Sequence, residues 1–418
     1  MRLLSKLGVG VLTLAAALTV NPSPAHAMNA SRQIGYGAKS KGMGGVGIAL
    51  PQDSLVAAMN PAGMPYVADR WDIGLGYVFQ DADTRSIARL NDGGFEDHCS
   101  DVGIWLPEAG VSWMFCPCQV LGVSIYVDSA FSTEYNRRIL GYSDPVFDGG
   151  SNVEAWNYNL VVAPSWSWRI NTVHSIGVAL NIAITGLNFQ GYGTAAALSF
   201  FPNDATNRGT AYSEGVSVRV GWLGNLCNRF MAGFTFQTRT WVRKYRKYQG
   251  LLHDAGESDL PGSLGVGATW FPWSCVALSA EYQHVIWNKV TNSFWGAREF
   301  FGGVNGPGVS WNAQGIFKVG GYWRILPCLT LRLGYNWGQS PISCADTIAN
   351  VGTQQIIEHH ITTGATYRFD CNEITFYYYY GFSHRIRGEI PILPLQIPNG
   401  YNLRNEQQAV GLSYGRIF

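Results

Sequence analysis

The sequence predicts an all-β fold: a transmembrane antiparallel β-barrel of about fourteen strands, plugged by a hatch made from its own N-terminal segment. Three observations lead there. Charged side chains make up 14% of the 418 residues, where soluble domains carry about 25% and need that charge to stay dispersed. Glycine (50 residues) and aromatics (13%) are abundant, while the mean hydropathy of 0.00 is too polar for a bundle of membrane helices. Alternation of period two recurs along the chain. In lipid every backbone N–H and C=O must find a partner, so a membrane protein without helical spans needs a closed barrel. The balance of 29 basic against 28 acidic residues argues against a nucleic-acid partner, which would require a basic face.

Residues 1–27 read as a secretory signal peptide. Arg2 and Lys6 form a basic start, Leu7 to Val20 an apolar run, and Ala25-His26-Ala27 a small-x-small cleavage site. The run falls short of the roughly 20 residues that a helical span requires.

Residues 28–70 do not alternate and read as the hatch. Gly42, Gly44, Gly45 and Gly47 are followed by Asn60, Pro61, Ala62 and Gly63. Glycine at this density serves close backbone approach and positive-φ turns. No Lys-Ser/Thr follows the glycine run, so it is not a phosphate loop. Met43, Val46, Ile48, Leu50, Leu55, Val56 and Met59 are interspersed, which favours a compact element inside the barrel over a polar linker.

Residues 71–418 read as the barrel. Ile176, Val178, Leu180, Ile182 and Ile184 share one face, with Gly177, Ala179, Asn181, Ala183 and Thr185 on the other. The same alternation runs through Val276 to Gln283, Leu329 to Asn336 and Ile374 to Gly381. One stripe suits lipid and the other a polar lumen. Short turns are expected at Cys116-Pro117-Cys118, Ile170-Asn171, Leu226-Cys227-Asn228, Pro272-Trp273-Ser274, Leu326-Pro327 and Asp370-Cys371-Asn372, in strict alternation with long connections. Outer-membrane barrels show this pattern, with tight periplasmic turns and long outer loops. The last strand carries Val410, Leu412, Tyr414, Arg416 and Phe418 on one face. Its terminal aromatic resembles the signal read by the barrel-assembly machinery, and the expected location is the bacterial outer membrane.

The ordered motifs resemble a known family, the outer-membrane long-chain fatty-acid transporters and their aromatic-hydrocarbon-channel relatives. The resemblance starts at Gly35, runs through Asp53-Ser54 and Asn60-Pro61-Ala62-Gly63, and continues at Leu106-Pro107 and the Pro164 to Gly177 hairpin. It then takes in Asp259-Leu260-Pro261, Ala280-Glu281-Tyr282, Leu331 to Tyr335 and Thr363 to Phe369. It implies a hatch-gated barrel that takes up hydrophobic small molecules through an internal pocket and releases them sideways at a kinked strand. Val120 to Phe131, the third strand, is the candidate for that kink.

Trp287, Tyr377 and Tyr379 fall on inward stripes and are candidates for the pocket lining, with Arg239 and Arg332 as candidate carboxylate holders. The strand Ile182 to Gln190 offers no cation where fatty-acid members place one, so a neutral hydrophobic substrate stays open beside long-chain fatty acids. Glu281 is a candidate partner for Arg332 or Arg239. Arg243, Lys244, Arg246 and Lys247 form an outer-surface basic cluster, able to meet lipopolysaccharide phosphates or simply to face solvent.

Cys116, Cys118, Cys227, Cys275, Cys328 and Cys371 sit in or beside short turns. In an oxidising envelope they are candidates for cross-links to disulfide-linked envelope proteins or to adjacent turns. No Cys/His spacing fits a zinc site, and no nucleophile elbow or Ser/His pair is legible, so neither metal, cofactor nor catalytic residue is expected. The alternative to a gated transporter is a general diffusion porin, or a structural outer-membrane protein cross-linked through disulfides. A porin has no use for a folded segment ahead of its first strand.

Overall fold

The computed structural model describes residues 29–86, 96–98, 103–136, 145–294, 296–388 and 401–418. The expected signal peptide, residues 1–27, lies outside them. Fourteen long strands form one closed antiparallel sheet. In chain order they are β1 (Arg70–Ser86), β2 (Ile104–Cys116), β3 (Gln119–Glu134), β4 (Glu154–Arg169), β5 (His174–Gln190), β6 (Ala211–Cys227) and β7 (Phe230–Gln237). Then follow β8 (Ser263–Trp273), β9 (Val276–Val285), β10 (Gln314–Leu326), β11 (Leu329–Gly338), β12 (His359–Phe369), β13 (Asn372–Ile386) and β14 (Tyr401–Ile417). Two short strands, Glu96–His98 and Trp241–Val242, add to β1 and β6. Each long strand pairs with its sequence neighbour. The ring closes where β1 pairs with β14, from Arg70 opposite Ile417 to Ser86 opposite Tyr401. Closure joins the first strand to the last, so neither presents a free edge to lipid.

The alternation read from the sequence holds strand by strand. On β5, Leu180, Ile182 and Ile184 are exposed while Ala179, Asn181, Ala183 and Thr185 are buried. Leu278 on β9, Leu331 and Leu333 on β11 and Phe376 on β13 continue the apolar exterior. Water would not tolerate such a belt; lipid does. Short turns of two to four residues join β2–β3, β4–β5, β6–β7, β8–β9, β10–β11 and β12–β13 at one end. The long connections gather at the other.

Residues 29–69 lie within the ring. They comprise a helical turn at Ala38–Lys41 and 3-10 turns at Ser54–Ala58 and Pro61–Tyr66, and they are almost wholly buried. Asp53 caps the first 3-10 turn by accepting the Leu55 N–H, and Asn60 caps the second through Ala62. Both are the side-chain types that satisfy orphan N–H groups at such starts.

One strand departs from the regular wall. β3 slips register against β4 between Val127 and Ser129, leaving Asp128 in a β-bulge. Beyond Tyr126, opposite Glu108, β3 has no pairing to β2 among the described residues. The N-terminal segment takes that edge instead. Gln33 N–H donates to Asp128 O at 3.1 Å, Ala130 N–H donates to Ser31 O at 3.0 Å, and Arg32 lies opposite Ser129.

Candidate functional site

The site has three parts: the seat of the plug, a cavity above it, and the seam at β3. The seat is built from inward side chains and from inward glycines. On β9, Glu281 Oε1 accepts the N–H groups of Gly47 (2.7 Å), Ile48 (2.6 Å) and Ala49 (3.4 Å). Directly across on β10 stands Lys318, whose Nζ donates to the carbonyls of Ile34 (2.9 Å) and Gly45 (3.3 Å). One acid and one base thus hold both kinds of backbone group on the plug, inside a low-dielectric ring where such bonds are strong. The sequence placed Glu281 against Arg332 or Arg239. The structure corrects this, because Lys318 is its cross-strand neighbour.

Further clamps follow the same logic. Lys41 pairs with Glu108 (2.7 Å) and Lys39 with Glu373 (2.5 Å), while Arg70 bridges Asp72 and Glu373. Arg32 Nη2 donates to Asp128 Oδ1 at 2.9 Å and the Tyr36 hydroxyl to the same oxygen at 2.5 Å. Burial lowers the Lys39 ammonium from its ordinary value and raises Asp53 to about 6, both because the plug interior disfavours charge.

The expected hatch residues meet the wall, except Gly63, which packs within the plug. Asn60 Nδ2 donates to Ile48 O (2.8 Å) within the plug and to Trp222 O (3.0 Å) on β6. Pro61 and Ala62 lie against Gly177 on β5, and Gly63 is buried beside Val56. Gly42 approaches Gly364, and Gly44, at φ +70°, approaches the backbone of Tyr335 and Val319. Gly45 (φ +81°) folds onto Ile34 O, and Gly47 packs on Met59. The wall answers with its own glycines: a Cβ on Gly334 would lie 2.1 Å from the Met43 carbonyl carbon, and one on Gly320 would lie 2.1 Å from Met43 O. Sequence reasoning saw the glycines of the plug and missed those of the wall. Their signal was present as inward positions where a lumen would otherwise carry polar side chains.

Between the plug and the long loops lies a cavity of about 250 Å³. Leu187, Phe189, Leu260, Trp287, Phe294 and Trp311 contribute to an apolar wall; the two tryptophans meet edge to face, centroids 4.6 Å apart. Ser31 of the plug, Phe131 of β3 and Asn159 of β4 also line it, so the cavity abuts the seam. Of the residues expected in the pocket, Trp287 lines this cavity and four do not. Arg332 lies toward the short-turn end, donating to Thr366 Oγ1 at 2.5 Å and bordering a second, polar recess with Lys39, Arg368 and Glu373. Arg239 is exposed, 3.5 Å from Asp259 and stacked over Trp241. Tyr377 and Tyr379 are buried in the seat, with Lys41 Nζ 5.3 Å above the Tyr377 ring. Their inward stripe was read correctly; depth along the strand decides what they touch.

The basic cluster lies on the exposed connection after β7. Arg243 pairs with Glu214 (2.9 Å), Lys244 pairs with Asp254 (2.7 Å), Lys247 donates to Thr210 O (2.9 Å), and Arg246 opens a 3-10 turn. Cys116, Cys118, Cys227, Cys275, Cys328 and Cys371 occupy five of the six short connections, all at one end. All six are unpaired thiols, with Cys116 and Cys118 Sγ 3.9 Å apart.

A closed fourteen-stranded barrel with a lipid-facing apolar belt and a folded N-terminal segment filling its lumen is a plugged outer-membrane transport barrel. The chain belongs to the family described as outer membrane protein transport protein (OMPP1/FadL/TodX), whose model matches residues 16–385. Similar solved structures include the toluene transporter TodX of P. putida, 17% identical over 92% of this chain and 99% of that one, with a TM-score of 0.70. A FadL homologue of Pseudomonas aeruginosa is 16% identical over 95% of this chain and 100% of its own, at 0.66. The toluene transporter TbuX of Ralstonia pickettii is 15% identical over 92% and 98%, at 0.62. At these identities the likeness speaks to the fold. No curated protein matches at a significant level. The family places the chain in the outer membrane and among transporters of hydrophobic compounds.

Proposed function

We propose that this protein takes up hydrophobic small molecules by capturing them in the loop-side cavity and releasing them sideways through the β2–β3 seam. The observation that carries this reading is shared residues. Ser31 and Phe131 line the cavity, and Ser31 is also part of the segment that fills the unpaired edge of β3 at the Asp128 bulge. Movement of that segment would join cavity to bilayer without opening a water path through the seat. A lipophile is at home in hydrocarbon, so a sideways exit follows its free-energy gradient, whereas an aqueous pore would not. In this reading residues 1–27 are a signal peptide, 28–70 the hatch and 71–418 the barrel, and the strand ending at Phe418 is the handle for assembly.

A double variant Ser31→Cys/Ala130→Cys tests the exit, since these residues face each other across the N-terminal bridge to β3. Oxidation should abolish uptake of a labelled lipophile into proteoliposomes, and reductant should restore it. Uptake unchanged by the cross-link would refute a route through this seam. The clustering of six thiols at the short-turn end supports a second property, disulfide linkage to envelope partners; native envelopes run without reductant should show the protein above monomer size, and monomer alone would end that reading.

A further inference from the structure

We infer that the cavity selects uncharged lipophiles and turns away fatty-acid anions, with Glu257 and Asp259 making that choice; this rests on the reading of the cavity as the substrate site. Among the described residues that line it there is no lysine or arginine, while the connection between β7 and β8 brings two carboxylates, Glu257 and Asp259, into its wall. Asp259 has a 5% exposed side chain, with one oxygen on the Val242 N–H at 2.7 Å. Its nearest cation, Arg239, is 44% exposed and approaches only to 3.5 Å from outside the cavity. Glu257 Oε1 lies 4.0 Å from His253 Nε2. Burial lowers the His253 pKa below its usual 6.5, which weakens the imidazole as a counter-charge for Glu257. Burial also raises both carboxyls above their ordinary values, as expected of acidic groups drawn out of water.

A fatty-acid anion would leave water for a pocket that offers its headgroup no counter-charge. Of the three amides that line the cavity, two have both N–H groups engaged, and Asn157 donates to Gly186 O; the indole N–H of Trp287 is a neutral donor and supplies no counter-charge. Asn159 donates to Ser129 Oγ and Asn157 Oδ1, and Asn292 donates to the carbonyls of Val304 and Gly306. A desolvated, unpaired carboxylate is costly, and here it would also face like charge. An uncharged molecule avoids both penalties and keeps the contact with Trp287, Trp311 and Phe294. The cavity volume of about 250 Å³ exceeds the roughly 150 Å³ that accommodates benzene, so aromatic or short-chain neutral compounds fit.

Isothermal titration of the full-length protein in amphipol at pH 7.5 with 1-octanol and with octanoate tests this. Both affinities are taken relative to partition into amphipol alone. The wild type should favour octanol over octanoate by at least about tenfold, and Glu257→Arg should shrink that ratio about tenfold or more, one interaction step on the affinity scale. Glu257→Gln, the milder change in case Arg disturbs the loop, should shrink it in the same direction. Octanoate binding as well as octanol, or a ratio unmoved by both variants, would overturn the inference and leave the cavity as substrate site. Binding of neither ligand, or octanol binding unaffected by a cavity-filling Leu252→Trp, would overturn the cavity reading itself and the inference with it.

Discussion

Removing the Glu281 carboxylate should unlatch the plug. Glu281→Ala deletes the acceptor for the N–H groups of Gly47 and Ile48, at 2.7 and 2.6 Å, and for the longer contact from Ala49 at 3.4 Å. Bonds to a charged acceptor are worth about 1.5–3 kcal/mol each, so the two short ones alone account for roughly 3–6 kcal/mol of seating. The same change leaves Lys318, buried across the strand pair, without its carboxylate, adding to the penalty. A gate works only if its two arrangements differ by a few kcal/mol, so a loss of about 3 kcal/mol, a population shift of roughly a hundredfold, brings the unseated state into view. Single-channel recording in planar bilayers reads this directly: the wild type should stay closed, and Glu281→Ala should open intermittently to the level of a protein lacking residues 28–64. Glu281→Gln, which keeps an oxygen in place, should fall between them. The barrel itself is held by strand pairing around the ring, so heat-modifiable mobility on gels should be retained. A folded Glu281→Ala barrel as silent as the wild type would refute the idea that this carboxylate holds the plug.

Gly334→Val should also open the channel, because its Cβ would overlap the Met43 carbonyl carbon at 2.1 Å and Gly44 N at 2.2 Å; Leu333→Val on the lipid face is the matched control, and equal silence in both would show that the plug can yield without leaving. Asn60→Ala removes donors to Ile48 O and Trp222 O at a cost of about 1–3 kcal/mol, so limited proteolysis should cut within the plug at lower protease concentration than in the wild type. Burial raises Asp53 from 3.8 to about 6, so the seated plug holds this proton more tightly than the released chain. Through Asp53, seating is therefore strongest below about pH 4, weakens as pH rises towards about 6, and carries a constant penalty above it. Asp53→Asn, whose side-chain oxygen can still accept the Leu55 N–H, should flatten that part of the pH dependence of channel opening. An unchanged pH profile in the variant would remove Asp53 from the account.

The barrel was legible in the sequence because a strand in lipid has two fixed environments and a period of two. Leu180, Ile182 and Ile184 had to face out once Asn181 and Thr185 faced in, and the alternation of short turns with long loops ordered the strands without any long-range information. The plug was legible too, since glycines and Asn60-Pro61-Ala62-Gly63 cannot belong to an alternating strand. The partners were not. Whether Glu281 meets Lys318, Arg332 or Arg239 depends on strand register, which is set by hydrogen bonding between neighbours and leaves no mark within one strand. Tyr377 and Trp287 both read as inward, yet one is buried in the seat and the other lines the cavity, because height along the barrel is decided by turn geometry and strand tilt. The bulge at Asp128 is likewise invisible in a run such as Tyr126 to Phe131. What the sequence alone determined was which face each residue presents; the closed ring determined which residues meet, since only closure fixes register around all fourteen strands and brings residues as far apart in the chain as Ser31, Asn159 and Trp287 to one cavity.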